Sequence, residues 1–181
     1  MTSRDARFAE IYESHHRQIY AYCRRRLDAD EVEDAVADVF VTAWRKIDDI
    51  PSDSQTLPWL YGVAYRVLLH QWRSSARRRR LSRRLSSLGV ERPAIPEDYI
   101  VLNQDSQRVI EATSRLKPID QEILRLSLWE ELRHAEIADV LDLKAEAVRK
   151  RLSRALSNLT NEFNSLEKVA GNAVAQKGGA W

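Results

Sequence analysis

Apolar residues in the first half of the chain recur every three to five positions, the spacing that puts them on one face of a helix. One such stripe covers residues 8–27, a second covers 32–47, and a third lies within 57–74. A polar, turn-forming segment at 48–57 separates the second stripe from the third. The pattern therefore predicts three consecutive helices that form a first helical domain.

The second half of the chain carries the pattern of a helix-turn-helix. A short helix is predicted at 134–141, with Ile137, Val140 and Leu141 facing inward. Asp142 follows at a turn position that needs a left-handed backbone, which aspartate tolerates less well than glycine. A longer helix comes next, and its inward positions are expected to be Val148, Leu152, Ala155, Leu156, Leu159 and Phe163.

A basic segment, followed by a segment without a sustained helical period, separates the two halves of the chain. Residues 73–84 hold seven arginines in twelve positions, and 85–104 contain Gly89, Pro93 and Pro96, so both are interpreted as a tether. We therefore predict an all-α protein made of two small helical domains. The predicted parts are a first domain at 1–80, a basic flexible linker at 81–106, a helix-turn-helix domain at 107–163 and a tail at 164–181 that is expected to be disordered.

Charge is distributed unevenly along the chain, although the net charge is only +2. Residues 28–50 contain eight acidic and two basic side chains, whereas 144–160 contain five basic and one acidic. The basic helix favours DNA as its partner, because exposed side chains can reach base edges in the major groove while flanking arginines pair with phosphates. A basic helix merely solvated in a bundle would carry the same charge, but the short helix and the turn before it favour DNA binding.

Several classes of function are disfavoured by what the sequence lacks. The single cysteine, Cys23, cannot form an internal disulfide, and the four histidines have no metal-ligand spacing. Phosphate-loop, GxSxG and HExxH motifs are absent. We predict no cofactor, no metal and no enzymatic activity. Without a signal peptide or an apolar membrane-spanning stretch, we expect a cytoplasmic protein that does not insert into membranes.

Three blocks of sequence resemble the extracytoplasmic-function (ECF) group of the bacterial sigma-70 family. They read VEDAVADVFVTAWRK at 32–46, PWLYGVAYRVLLHQWR at 58–73, and LKPIDQEILRL followed by AEIADVLDLKAEAVRKRLSRAL between 116 and 156. The blocks stand in the family's order and at its spacing. The resemblance implies a sigma-2-like and a sigma-4-like domain. It also implies a sigma factor that binds core RNA polymerase, recognises both promoter elements and promotes DNA melting for transcription initiation.

The resemblance assigns site residues to three regions and names further partners. Residues implied to bind the clamp helices of the largest polymerase subunit are Asp34, Asp38, Val41, Trp44 and Arg45. Residues implied to hold the melted promoter element are Asp53, Ser54, Gln55, Trp59, Tyr61, Tyr65, Arg66, Arg73 and Arg77. Residues implied to read the duplex upstream element are Arg133, Lys144, Glu146, Arg149, Lys150, Ser153 and Arg154. The polymerase flap region and an anti-sigma protein are the other implied partners.

Simpler interpretations stay open beside these assignments. An aromatic stripe at helical spacing more often belongs to a core, which applies to Phe40, Trp59 and Trp72. The main alternative function is a helix-turn-helix repressor or activator with a helical sensor domain. It explains 132–160 but not the acidic helix followed by an aromatic helix and an arginine run. A nuclease built from the scattered acids would reveal itself by metal-dependent DNA cleavage.

Overall fold

The computed structural model describes the backbone of residues 3–85 and 104–177 and the side chains of 3–73 and 107–166. Over these backbone ranges the chain forms seven α-helices, two short 3-10 turns and no β-strand, so the all-α prediction is confirmed. The Cα positions divide the chain into two compact units. Unit 1 comprises Met1–Glu97 and Asp139–Asp142, and unit 2 comprises Asp98–Ala138 and Leu143–Trp181.

Unit 1 is built mainly from α1 (Ser3–Arg24), α2 (Ala29–Arg45) and α3 (Thr56–Leu85), and each of these helices packs against the other two. The apolar stripe predicted at 32–47 is buried along its whole length. Its members are Val32, Ala35, Val36, Val39, Phe40, Ala43 and Ile47. Burial of a large aliphatic or aromatic side chain contributes about 1.5–3 kcal/mol. This stripe therefore fixes which face of α2 is turned to the core and which face stays in solvent.

Two 3-10 turns, Ile47–Asp49 and Asp53–Gln55, connect α2 to α3. Asp53 adopts a φ of 56°, a conformation that aspartate and asparagine visit more often than other non-glycine residues. The hydroxyl of Thr56 donates to the carbonyl oxygen of Pro51 at 2.8 Å. This bond ties the polar connection to the first turn of α3, so the connection is folded rather than open.

Helix α3 is longer than the sequence pattern predicts. The pattern places a helix at 57–74 and a tether from the arginine run onward, whereas the backbone is helical as far as Leu85. That prediction was wrong because arginine is a good helix former and residues 63–88 contain neither glycine nor proline. Residues 86–103 of the predicted linker lie outside the part of the chain that the structure describes.

Unit 2 contains α4 (Gln104–Ser114), α5 (Pro118–Leu128), α7 (Ala145–Lys177) and the first part of α6 (His134–Leu141), whose last residues, Asp139–Leu141, belong to unit 1. Helix α7 packs against both α4 and α5. The fully buried side chains of these helices include Ile123, Leu126, Ile137 and Val148. Helix α6 has the bounds that the sequence predicts, and with α7 it forms the expected helix-turn-helix.

The turn between α6 and α7 has the left-handed backbone that the sequence predicts. Asp142 adopts a φ of 54°. The backbone N–H of Leu143 donates to the carbonyl oxygen of Ala138 at 2.9 Å. This is the 6→1 hydrogen bond of a Schellman motif, and it ends α6. The N–H of Val148 then donates to the Lys144 carbonyl oxygen at 3.0 Å and opens α7. The turn therefore forms with aspartate, rather than glycine, at its left-handed position.

Replacing Asp142 by glycine is expected to raise the free energy of unfolding by about 0.5–1 kcal/mol. The left-handed backbone costs a residue with a Cβ roughly 1–2 kcal/mol, while glycine loses about 0.5–1 kcal/mol more chain entropy on folding. Urea unfolding followed by circular dichroism measures the difference. The control is Asp139→Gly, at an exposed position inside α6. This change should instead lower the free energy of unfolding by about 0.5 kcal/mol. A loss of stability in Asp142→Gly would contradict the expectation.

Helix α7 continues past the predicted end of the second domain. The sequence predicts a disordered tail from residue 164, whereas the backbone is helical to Lys177. The prediction was wrong because 164–177 holds good helix formers such as alanine, glutamate and lysine, and its one glycine costs only about 1 kcal/mol. Leu156 also departs from its predicted place in the core, since it is 42% exposed.

Candidate functional site

The acidic face of α2 is exposed on unit 1. The five residues assigned to polymerase binding all lie on it in solvent: Asp34, Asp38, Val41, Trp44 and Arg45. Val41 and Trp44 stand out because these large apolar side chains remain 47% and 40% exposed. Phe40 is buried, as its simpler interpretation expected. Exposed apolar side chains rimmed by charged ones are typical of a protein-binding surface.

Trp44 is held in place by α1. Its indole packs edge-on against the ring of Phe8, with the ring centres 5.3 Å apart. The guanidinium of Arg4 lies 5.7 Å from the centre of the indole ring. Contacts of this kind orient an aromatic ring while part of its surface stays available. Trp44 is therefore positioned before any partner binds.

An aromatic ladder that was not predicted from the sequence lies on α1. Its members, spaced by four residues, are Phe8, Tyr12, His16 and Tyr20. Tyr12 and Tyr20 are 41% and 40% exposed. Tyr12, His16 and Tyr20 join Glu33 of α2 in lining an open groove of about 280 Å³. The signal that could have identified the ladder was an aromatic side chain at every fourth position, because residues four apart share one helix face.

The residues assigned to the melted promoter element are spread over the 3-10 turn and α3. Asp53, Ser54, Arg66 and Arg73 are exposed, and Gln55, Trp59 and Tyr65 are half-buried. Half-buried aromatic rings can offer one surface to an unstacked base, and exposed arginines can pair with phosphates. Arg77 lies in α3, but its side chain is outside those that the structure describes.

Tyr61 is not available for base stacking in this structure, so its assignment is corrected. The residue is 3% exposed, and its ring centre lies 5.1 Å from that of Tyr22. Tyr22 is itself fully buried, with the guanidinium of Arg26 3.6 Å from its ring centre. Tyr61 therefore joins α3 to α1 as a core residue. The sequence pattern could not separate the two roles, because Tyr61 lies at the margin of the buried stripe.

The first part of α7 presents a row of polar side chains to solvent. All six of the assigned residues at this end of the helix are exposed: Lys144, Glu146, Arg149, Lys150, Ser153 and Arg154. The Glu146 carboxylate and the Lys150 ammonium form an ion pair at 2.7 Å. Val148 and Ala155 are buried on the other side of the helix. The predicted division of α7 into a buried face and a polar face is therefore present.

Arg133, the seventh residue assigned to the upstream element, takes part in a cap at the start of α6. The carboxylate of Glu136 accepts the backbone N–H of Arg133 at 2.7 Å and a guanidinium N–H of the same residue at 2.7 Å. The first bond is the reciprocal half of a capping box. The hydrogen bond to Glu136 raises the pKa of the Arg133 guanidinium above its ordinary value. The Arg133 side chain stays largely in solvent, where it can exchange this partner for a phosphate.

Replacing Glu136 by alanine is expected to lower the free energy of unfolding by about 1–2 kcal/mol. The buried carboxylate leaves, and the helix loses an acceptor for one of its first N–H groups. Thermal and urea unfolding of the purified chain measure the loss. The matched control is Asp139→Ala, an exposed acid on the same helix, for which a change below about 0.5 kcal/mol is expected. Equal losses in both variants would show that the cap is not responsible.

The described residues contain neither a metal-binding cluster nor a membrane-spanning helix. No group of three or more histidine, cysteine, aspartate or glutamate side chains there could hold a metal ion. Of the helices in the same part of the chain, none combines the length and the apolar character needed to cross a membrane.

Comparison with known proteins matches the chain twice to one family. The family model of Sigma-70 region 2 matches residues 11–78, and that of Sigma-70, region 4 matches 106–159. The probable RNA polymerase sigma factor RfaY of Xanthomonas campestris is 32% identical over 140 residues, which are 75% of this chain and 35% of the relative. The ECF RNA polymerase sigma factor SigK of Mycolicibacterium vanbaalenii is 26% identical over 156 residues, 84% of this chain and 80% of that protein.

A solved structure supports the same fold. The sigma factor RpoE of Bartonella quintana, crystallised with the anti-sigma factor NepR, matches with a TM-score of 0.63 and 22% identity. The match covers 87% of this chain and 96% of that one. The chain thus spans about a third of the Xanthomonas relative but most of the other two proteins.

Proposed function

The chain belongs to the ECF group of the sigma-70 family and is a sigma factor of transcription initiation, and from this premise we propose what each unit binds. Unit 1 binds core RNA polymerase and the melted promoter element, and unit 2 binds the duplex upstream element. The observation that carries the proposal is the opposite character of two exposed faces, acidic and aromatic on α2 and basic on α7. The chain acts by binding rather than by catalysis, and its place of action is the cytoplasm.

The α2 face is proposed to bind the clamp helices of the largest polymerase subunit. Its exposed carboxylates, Asp34 and Asp38, suit a basic partner, because complementary charge steers encounter and fixes register. Trp44, already oriented by Phe8, supplies the aromatic anchor that commonly dominates binding energy at an interface. Val41 extends the apolar contact beside it. Because Trp44 is held by Phe8 and Arg4 before binding, little ordering of this side chain opposes association.

The 3-10 turn at Asp53–Gln55 and the following part of α3 are proposed to hold the melted promoter element. A flipped base needs polar groups for its edge and an aromatic ring for its face. Asp53 and Ser54 offer the polar groups, and half-buried Trp59 and Tyr65 offer the rings. Exposed Arg66 and Arg73 are the proposed partners of the phosphates of the melted DNA strand. Arg77 is proposed for the same role from its position in the sequence alone.

The polar face of α7 is proposed to read the upstream element in the major groove. Lys150 and Arg154 are four residues apart on that face, where they can reach neighbouring base edges. Lys144, Arg149 and Arg133 flank it as phosphate contacts, and Glu146 and Ser153 complete the reading face. Unit 2 is also proposed to contact the polymerase flap region. The repressor alternative is not favoured, because the region 2 match accounts for the unit in which a sensor would lie.

An anti-sigma protein is proposed as a further partner. The RpoE relative was crystallised with the anti-sigma factor NepR, which suggests the same kind of control here. Such a protein would hold the chain inactive by covering the exposed apolar residues of α2. The anti-sigma protein and the polymerase would then compete for one surface, and binding of either would exclude the other.

Co-purification with core RNA polymerase tests the first part of the proposal. Tagged full-length chain is mixed with sigma-free bacterial core enzyme and recovered by affinity and size exclusion. We expect a stoichiometric complex that is lost when Trp44 is replaced by alanine and kept when exposed Trp72 of α3 is replaced in the same way. Failure of the unaltered chain to bind core, together with a shift of duplex DNA by the chain alone, would favour the repressor alternative.

A further inference from the structure

The polar connection between α2 and α3 is held from both sides by neighbouring helices. Its first 3-10 turn, Ile47–Asp49, packs against α1, and its second, Asp53–Gln55, packs against α3. Ile47 and Ile50 are buried, so their side chains fix the start of the connection in the core of unit 1. The residues that follow at 52–54 are exposed. Buried anchors therefore leave only a short polar stretch in solvent.

Two side chains bind successive carbonyl groups of this connection. The Arg7 guanidinium of α1 donates to the carbonyl oxygen of Ile50, across 43 positions of sequence. The next carbonyl oxygen, that of Pro51, accepts the hydroxyl of Thr56 at 2.8 Å. Proline has no N–H, so the chain cannot be tied at this point by a backbone donor of its own. The connection is held here by side-chain donors.

A third contact from α1 reaches the same connection but is weaker. Arg4 and Asp48 form an ion pair at 3.6 Å, and their side chains are 52% and 76% exposed. Exposed pairs contribute little, because water screens the charges and both side chains lose freedom. In contrast, Arg7 is half-buried and Thr56 is buried, and a hydrogen bond shielded from water is stronger. Arg7 and Thr56, rather than Arg4, therefore hold the connection.

The conformation of Asp53 explains why the exposed stretch has to be held. Its φ of 56° lies in the left-handed region, which is unfavourable for a residue with a Cβ. Such a conformation persists where the surrounding structure fixes it. The bond between Thr56 and Pro51 closes a loop of chain around Asp53, and the Arg7 bond fixes the start of that loop. Release of either bond should let Asp53 return to a more common conformation.

We propose that Arg7 and Thr56 are positioning residues for recognition of the melted promoter element. By binding two successive carbonyl oxygens, they hold the segment 52–55 in one shape. A base taken out of the stack is selected by hydrogen-bonding groups that must already point in the right direction. Neither positioning residue is assigned a contact with DNA. The inference rests on the proposed recognition of the melted element by Asp53 and Ser54, and it names what preorganises them.

The selectivity of promoter use tests the inference. A promoter is selected from a randomised template pool with the unaltered chain and core polymerase, and its melted element is located by permanganate oxidation of unpaired thymines. Transcription is then measured from this promoter and from copies in which single bases of the melted element are changed. The ratio of the two rates, the discrimination ratio, is compared between variants. A loss of folded protein lowers both rates equally, so it leaves this ratio unchanged.

The Arg7→Gln variant is expected to lower the discrimination ratio about tenfold, because a site loosened by about an ångström loses much of its selectivity. Affinity for core polymerase should be unchanged, since the exposed face of α2 is not altered. Arg7→Lys keeps a donor for the single bond to Ile50 and should restore most of the ratio. The matched control is Arg17→Gln, the same change at an exposed arginine of α1, which should leave the ratio unchanged.

A second pair of variants tests the other bond and guards against misfolding of Arg7→Gln. Thr56→Val removes the hydroxyl at nearly constant volume and should also lower the discrimination ratio. Thr56→Ser keeps the hydroxyl and should restore the ratio. The pair therefore separates loss of the hydrogen bond from a general effect of substitution at this position.

Three outcomes would overturn the inference, and they are distinguishable. A ratio unchanged in both Arg7→Gln and Thr56→Val, with clear discrimination by the unaltered chain, would remove the positioning role and leave the proposed function intact. An equal loss in Arg17→Gln and Arg7→Gln would show that only the charge of α1 matters. If the unaltered chain selects no promoter, or transcribes all the changed copies equally, the proposed recognition of the melted element fails together with the inference.

Discussion

Replacing Asp38 by arginine is expected to weaken binding of core RNA polymerase by about 100-fold or more. Asp38 is exposed in the middle of the α2 face that is proposed to meet a basic partner. The variant removes an attractive charge and places a like charge opposite the partner's cations, which costs several kcal/mol. Because Asp38 has no role in the core, the fold should be unchanged. Surface plasmon resonance with immobilised core enzyme measures the affinity, and transcription should fall with it.

The control for this variant is Glu10→Arg, which changes the net charge equally. Glu10 is exposed on α1, away from the aromatic ladder on the helical wheel. We expect its affinity for core to stay within about threefold of the unaltered chain. Equal affinities for Asp38→Arg and the unaltered chain would show that the α2 face is not where core polymerase binds.

Replacing Arg154 by glutamate is expected to reduce binding of the duplex upstream element by about 100-fold. Loss of one base-reading arginine costs roughly 1–3 kcal/mol, and the new carboxylate adds repulsion from the phosphates. Arg154 is exposed and makes no ion pair among the described residues, so its replacement breaks no contact that holds unit 2 together. Electrophoretic mobility shift with the reconstituted holoenzyme measures the effect.

The variant should separate the two units of the protein by function. Arg154→Glu should bind core polymerase as tightly as the unaltered chain, whereas Asp38→Arg should bind core polymerase weakly. Arg17→Glu, the same charge change on the solvent side of α1, is the control for DNA binding. If Arg17→Glu and Arg154→Glu weaken duplex binding equally, only net charge matters and α7 does not read DNA.

The elements of the fold that sequence predicts best are those in which one local rule dominates. Apolar spacing alone identifies every buried member of α2, and the left-handed Asp142 follows from the short helix that precedes it. Helix ends were predicted less well. Arginine is a good helix former, but it is equally compatible with a solvated tether. The run of arginines at 73–84 therefore could not show that α3 continues to Leu85.

The candidate site shows the same limit. Exposure of Asp38 and Arg154 follows from the helical pattern, because each lies opposite an apolar stripe. The helical pattern could not divide the aromatic residues into buried and exposed ones, because a ring at the margin of an apolar stripe can face either the core or the solvent. Tyr61 is buried against Tyr22, whereas Trp44 stays exposed beside Phe8. Only the packing of α1 against its neighbours decides between these outcomes.

Reconstituted transcription with sigma-free core polymerase tests the central claim most directly. The full-length chain, core enzyme and a pool of templates with randomised upstream regions are incubated with nucleotides, and the transcribed templates are sequenced. We expect initiation that depends on the chain, from templates sharing two sequence elements at a fixed separation, and no initiation with Asp38→Arg. Templates transcribed equally with and without the chain, despite its binding to core, would contradict the assignment of a sigma factor's role.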